Sequence, residues 1–287
     1  MTAIGWRSIV AALVLFFSAG EAIAEPQPSK LGAEESEGQL LLIEQALAAG
    51  RLVQTEAMLR WAEPRLVEGY RNRFNLLLAE YFLAREDVVL AEKAINSVDG
   101  SLADSCRFTG IWGWISYQKQ DWNRAIAMLA SAVDQCPGDP GRWNLLGQAL
   151  AHKGEYAASI EAFDAALSIQ PAQAEILNNR ALALAYSGAL GRAIADLSKA
   201  LEIQPDNRTV AENLAFLRAN TGLAVVLGPN DTGAFDARSL TKAGEGALAA
   251  HRTEAATSYF ARAVLASDRF DAELWRRANP YSDKEVQ

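Results

Sequence analysis

Few residues in this chain could do covalent or metal chemistry, and they are scattered. Its 287 residues include two histidines, His152 and His251, and two cysteines, Cys106 and Cys136. Neither histidine sits in an HExxH pattern or a Cys/His cluster, the spacings that place metal ligands together. Both read as surface residues near helix ends. No GxSxG elbow occurs to present a nucleophilic serine. Gly244 and Gly246 stand two apart, but in an alanine-rich helical context with no strand before them, which does not make a phosphate loop. The carboxylate pair Glu34-Glu35 falls in a polar leader. No catalytic residue, metal ligand or cofactor is assigned, and the chain reads as a non-enzyme. Two kinds of chemistry remain: thiol oxidation at Cys106 and Cys136, and hydrogen bonding by amide side chains such as Asn144 and Asn178.

The elements that must position these residues are visible as three rows. DWNRAIAMLASAVDQCP runs over Asp121–Pro137, EYAASIEAFDAALSIQP over Glu155–Pro171 and ALGRAIADLSKALEIQP over Ala189–Pro205. Each row begins 34 residues after the last, a period that signals stacked helical repeats. Within the rows Trp122, Tyr156 and Leu190 come first. Ile126, Ile160 and Ile194 follow, then Leu129, Phe163 and Leu197. This spacing makes one apolar stripe on a helix. Pro137, Pro171 and Pro205 end these second helices, because proline cannot continue a helix. In the preceding first helices Gly113, Gly147, Ala181 and Ala215 hold one small-residue position, expected to face Ala125, Ser159 and Ala193 on the partner helices. Gly154 and Gly188 are expected to turn the chain between helices with a positive φ, which costs glycine little.

This pattern resembles the tetratricopeptide repeat (TPR). Trp143, Leu146, Gly147, Tyr156, Phe163, Ala166 and Pro171 match its signature in the best repeat. The resemblance implies an all-α fold, an α-solenoid of stacked antiparallel helical hairpins. It extends well over 73–220 and weakly over 39–70. The stretch Asn178–Gly222 is also similar to exported TPR proteins of Tad/Flp pilus assembly systems, which are often lipoproteins. This chain has no cysteine after its N-terminal apolar run to carry a lipid.

The expected domain map follows. Residues 1–24 read as a secretory signal peptide: Arg7, the apolar run Ile9–Phe17, and the small-x-small site Ala22-Ile23-Ala24. The apolar run is too short to span a bilayer, and no later stretch is long enough. Cleavage near Ala24 would deliver a periplasmic or secreted protein. Residues 25–38, rich in proline, glycine and glutamate, read as a flexible leader. The array is expected over 39–220: a degenerate hairpin at 39–71, repeats at 72–105, 106–139, 140–173 and 174–207, and a partial repeat at 208–220. A connecting loop follows at 221–236, then a TPR-like hairpin and capping helix at 237–278, with Asp271 as N-cap and Trp275 covering the last hairpin. Residues 279–287 form a tail. The net charge of −8 argues against nucleic acid, whose binders cluster Lys and Arg against phosphates.

Cys106 opens the first helix of its repeat and Cys136 follows the second. An antiparallel hairpin brings these ends to one side, so a disulfide is expected, with two free thiols as the alternative. The resemblance also implies a concave groove lined by the first helices. Carried onto this chain, its positions give Arg107, Trp114 and Tyr117, then Asn144, Gln148 and Ala151, then Glu175, Asn178, Leu182 and Ala185, with Tyr186 beside them. Asn144 and Asn178 are candidates to hold a peptide backbone, and Trp114 and Tyr117 to anchor apolar groups. The chemistry suits a protein or peptide partner. Chaperone-tail carboxylate clamps use Lys and Arg at places where this chain has Asn144, Asn178 and Glu175. The rival reading is a glycan-binding accessory of polysaccharide export or peptidoglycan metabolism, which needs an aromatic strip of the kind Trp112, Trp114 and Tyr117 offer.

Overall fold

A computed structural model describes residues 29–99, 105–225, 233–267 and 269–279. The signal-peptide stretch 1–24 lies outside the described residues. Fourteen α-helices and one short 3-10 turn make up the described residues, with no strand among them. The described residues fall into two compact units, one ending at Arg71 and the other beginning at Asn72.

In the first unit α1 (Ala33–Ala48) and α2 (Leu52–Ala62) form a hairpin. Leu40, Ile43 and Ala46 of α1 and Leu59 and Ala62 of α2 are buried. Gly50 turns the chain with φ +68°. Here the leader reading is corrected: α1 begins at Ala33, inside the stretch expected to be flexible. The same glutamates that suggested a mobile leader explain the helix. Glu34 and Glu35 sit in the first turn, where carboxylates oppose the helix dipole. The Glu35 carboxylate also accepts the Gly32 backbone N–H at 2.8 Å.

The second unit pairs α3 (Arg71–Ala84) with the short α4 (Val88–Ile95), α5 (Cys106–Gln118) with α6 (Trp122–Gln135), α7 (Pro140–His152) with α8 (Tyr156–Ile169), and α9 (Ala174–Tyr186) with α10 (Leu190–Ile203). The second helices α6, α8 and α10 stop two residues before Pro137, Pro171 and Pro205. The residue before each proline, Cys136, Gln170 and Gln204, has left the helical region, with φ between −134° and −130° and ψ between 75° and 86°. Proline crowds the preceding residue out of the helical region, so each helix ends there.

The hairpin turns follow one geometry. Gly154 and Gly188 adopt φ +82° and +87°. Glu86, Gln120 and His251 take the same left-handed conformation with side chains attached. His251 is therefore a turn residue, and its identity is set by no chemistry that the structure reveals.

Within hairpins the helices meet at small residues. A Cβ on Gly113 would stand 2.5 Å from Leu129 Cγ, and one on Gly147 would stand 2.6 Å from Phe163 Cε1. Leu129 and Phe163 stand one turn further along the second helix than Ala125 and Ser159, the residues expected to face these glycines. Ser159 does meet Gly147, its Oγ donating to the Gly147 carbonyl at 2.7 Å. The large stripe residues fill the space that the small residues leave.

Cys106 and Cys136 are bonded, with their Cα atoms 6.0 Å apart. The bridge closes the open end of the α5–α6 hairpin. Ser105 caps α5 and Asp121 caps α6, each accepting a backbone N–H, which satisfies donors that helix ends leave exposed.

The C-terminal part departs from the period. α11 (Arg208–Thr221) ends at Gly222 in the left-handed region, and α12 (Gly233–Ala249) begins inside the stretch expected to be a loop. Residues 226–232 of that stretch lie outside the described residues. α12 packs on both α11 and α13 (Thr253–Ala266). Its two glycines serve these two faces. A Cβ on Gly244 would stand 2.4 Å from Phe260 Cε1 of α13, and one on Gly246 only 2.1 Å from the Phe216 carbonyl oxygen of α11. α14 (Ala272–Ala278) is capped by Asp271, which accepts from the Glu273 and Leu274 N–H groups. Trp275 does not cover the last hairpin: it is 46% exposed, while Leu274 and Ala278 are buried. Four residues apart, these two share the inward face of the helix and leave Trp275 on its flank.

Candidate functional site

Arg107 and Trp114, expected to line the groove, are both half-buried and make contacts within the array. Arg107, near the start of α5, makes a bidentate ion pair with Glu80 of α3, at 2.9 and 2.7 Å. A planar guanidinium matched to one carboxylate is held in place by that geometry. Trp114 packs on the core formed by Leu76, Ile95, Ile111 and Ile115. Trp112 packs on the same core and lies under the Arg124 guanidinium, 4.7 Å from the ring centre. The rival glycan reading needed these rings in an open strip, and packing has used two of them.

The asparagines form a ladder across the first helices. Asn144 of α7 donates to Glu175 of α9 at 3.3 Å and accepts from Asn179 of α9 at 3.1 Å. Asn178 accepts from Asn213 of α11 at 2.9 Å. Asn144 is only 9% exposed. Its amide therefore ties repeats together, and its burial leaves little of it open to a peptide backbone. Asn179 and Asn213 were missed because the inter-helix step is 35 residues, one more than the repeat. The pairs 144/179 and 178/213 were present in the sequence as that signal.

Tyr117 and Gln148 meet. The Tyr117 hydroxyl, near the end of α5, donates to Gln148 Oε1 of α7 at 3.0 Å. That uses the phenolic proton, so the hydroxyl oxygen accepts from His152 Nε2, 3.3 Å away. Burial raises the Tyr117 pKa above its ordinary value, because a phenolate would lose hydration. His152 also stacks on Trp122, with ring centres 4.5 Å apart and planes 6° from parallel. One repeat later Tyr186 stacks on Tyr156, at 5.2 Å and 10°. Trp122, His152 and Tyr156 were not singled out as site residues. Aromatic rings at 122 and 156, with His152 and Tyr186 thirty residues after each, were the available signal.

On α9 Glu175, Leu182 and Tyr186 are exposed, Leu182 by 37% and Tyr186 by 72%. Behind them Arg180 bridges the second helices, with its Nε and Nη2 each 2.7 Å from Asp196 of α10 and its Nη1 on Asp164 of α8. The hydrogen bond to Asp196 raises the Arg180 pKa, burial opposes it, and Asp164 adds to the rise. This is a structural clamp whose charges face each other. Among the described residues no three His, Cys, Asp or Glu side chains gather as a metal site, and no helix is long and apolar enough to cross a membrane.

Two family models match the sequence: both are the tetratricopeptide repeat, at residues 140–173 and 174–207. Residues 140–207 carry two tetratricopeptide repeats, and the described residues fold as an all-helical solenoid of that type. It is similar in fold to the C-terminal part of a TPR repeat-containing protein from Cytophaga hutchinsonii, with TM-score 0.56 and 15% identity, covering 83% of this chain and 98% of that one. It is similar also to a tetratricopeptide repeat protein from Parabacteroides merdae, with TM-score 0.51 and 14% identity, covering 86% and 98%. No curated protein matches its sequence. Repeats of this family are in general scaffolds for contacts with protein or peptide partners.

Proposed function

We propose that this protein is an exported, non-enzymatic scaffold that holds a protein or peptide partner within a cell-envelope assembly or secretion system. The exposed strip of α9 carries the reading. Glu175, Leu182 and Tyr186 repeat at helical spacing on one face, and two of them are large apolar side chains open to solvent. Such side chains on a first helix are suited to a docked partner. Export is supported by the Arg7, Ile9–Phe17 and Ala22–Ala24 pattern, and the Cys106–Cys136 bond suits an oxidising compartment. The similarity of Asn178–Gly222 to exported TPR proteins of Tad/Flp systems supports pilus assembly as the setting.

The test is crosslinking and affinity purification from the native cell envelope, with wild type and Leu182→Asp side by side. A specific protein captured by wild type and lost with Leu182→Asp is the expected result. Equal capture by both would remove α9 as the docking face. Recovery in the cytosol with an uncleaved N-terminus would overturn the exported role.

A further inference from the structure

The Cys106–Cys136 bond lies where ties between three repeats converge. Cys106 is the first residue of α5, and the next residue, Arg107, is held by Glu80 of α3. Four residues after Cys106, Gly110 makes room for the Arg142 side chain of α7: a Cβ there would stand 2.9 Å from Arg142 Nε. Arg142 is itself fixed by Asp139, the N-cap of α7, at 3.2 Å. On the other side of the bond Pro137 follows Cys136, and its carbonyl accepts the Trp143 indole N–H of α7 at 2.8 Å. The first helices α3, α5 and α7 are thus tied to one another through residues beside the two sulfurs.

The opposite end of α5 is held without the cysteines. There the Tyr117 hydroxyl donates to Gln148 of α7 at 3.0 Å. The Asp121 backbone N–H, at the turn into α6, donates to the Ser116 carbonyl at 2.9 Å. Opening the disulfide would therefore loosen the N-terminal half of α5 while its C-terminal end stays anchored. The Glu80–Arg107 and Trp143–Pro137 ties would then join helices to two strands of chain no longer joined to each other.

The chemistry of opening is favoured by the placement. Cys136 is half-buried between the exposed Gln135 and Pro137, so its Sγ is the sulfur approached from solvent. Attack there by one thiolate of a dithiol forms a mixed disulfide on Cys136 and expels Cys106 as a thiolate. That thiolate sits at the N-terminus of α5, where helix N–H groups and the dipole stabilise it, and a stabilised thiolate leaves more readily. The second thiol of the dithiol then displaces Cys136. The dithiol departs as a disulfide, having lost two electrons and two protons, and both cysteines end as thiols.

We infer that the Cys106–Cys136 bond is a redox-sensitive joint: oxidised, it locks α3, α5 and α7 together through Arg107 and Pro137, and reduced by a dithiol it lets these first helices move apart at one end. The joint needs no bound partner to operate. Its effect falls on the layer of first helices and leaves the turn end of α5 in place.

The test is amide hydrogen exchange read by mass spectrometry on the full chain, oxidised and in dithiothreitol. Reduction should speed exchange about tenfold or more in α3 around Glu80 and in the N-terminal halves of α5 and α7, the loss of about one charged hydrogen bond from local opening. Exchange around Tyr117 should change little. The double variant Cys106→Ser/Cys136→Ser should show the reduced pattern in both buffers. Glu80→Ala removes one leg of the joint, so oxidation should still protect α7 and no longer protect α3. A bond that dithiothreitol does not open in the folded protein would overturn the inference. So would a change confined to α5 and α6, an equal change in every helix out to α13, or protection of α3 by oxidation that survives Glu80→Ala.

Discussion

The repeats from α5 to α10 and the C-terminal helices α11 to α14 solve one packing problem in different ways. In the regular part each hairpin has one small-residue position under one large side chain, as Gly147 lies under Phe163. The neighbour there is a ring that can shift. In the C-terminal part α12 meets helices on two faces, with Gly244 under Phe260 and Gly246 against the Phe216 backbone carbonyl. A ring can give way by a few tenths of an ångström, but a helix backbone cannot move without its helix. Repetition spreads close approaches over separate helices, and a helix shared between two neighbours concentrates them.

Four measurements sharpen or break this contrast. The largest effect is expected at the covalent staple of the regular part. Replacing both cysteines by serine opens a loop spanning 30 residues and should cost about 3–4 kcal/mol in urea unfolding on the chain-entropy model. An unchanged unfolding midpoint would mean that the staple adds nothing to the first regular hairpin. Next, Gly246→Ala should destabilise by about 3 kcal/mol and Gly147→Ala by about 1–2 kcal/mol, the range of overpacked cores. Equal costs would erase the distinction between a backbone neighbour and a ring.

A gain is expected in the third case. Gln120 takes φ +60° where the next two repeats have glycine. Gln120→Gly should stabilise by about 0.5–1 kcal/mol, offsetting part of the left-handed cost. A loss would show that the Gln120 side chain contributes contacts worth more than its backbone cost.

The smallest effect is a titration. Burial raises the Tyr117 pKa above 10.0, so the folded state favours the protonated phenol. Its contribution to stability is present below the unfolded pKa and is lost as pH rises through the folded one. One tyrosine titrating late in phenolate absorbance, absent in Tyr117→Phe, is the expected reading.

How much of this was legible without coordinates depended on whether the constraint was local. The helix ends at Pro137, Pro171 and Pro205 were legible, because proline acts on its own neighbour. The turns at Gly154 and Gly188 were legible for the same reason. Glu86, Gln120 and His251 at equivalent turns were not, since nothing in those residue types announces a positive φ. The disulfide followed from the hairpin because it joins two helix ends of one repeat. The asparagine ladder did not, because Asn144 and Asn178 were matched at the 34-residue period while the bonds step 35. Trp114 and Arg107 sat at groove positions, yet Glu80 and the Ile95–Ile115 core claim them, and only the stacking of α3 and α4 reveals that. Gly246 read as a residue of an alanine-rich helix, whereas its role depends on Phe216, thirty residues earlier in the chain.

The Cys106–Cys136 bond also has a mechanical meaning. A solenoid held between two bound partners carries tension along its chain. If α5 and α6 come apart under load, the chain between the two cysteines, 30 residues apart in sequence, would ordinarily lengthen by about 100 Å. With the bridge in place the path of force crosses from Cα to Cα over 6.0 Å, and that slack stays locked. In single-molecule stretching the oxidised protein should show a contour length shorter by about that amount than the reduced one, so the bond acts as a fixed stop on how far the array can be drawn out.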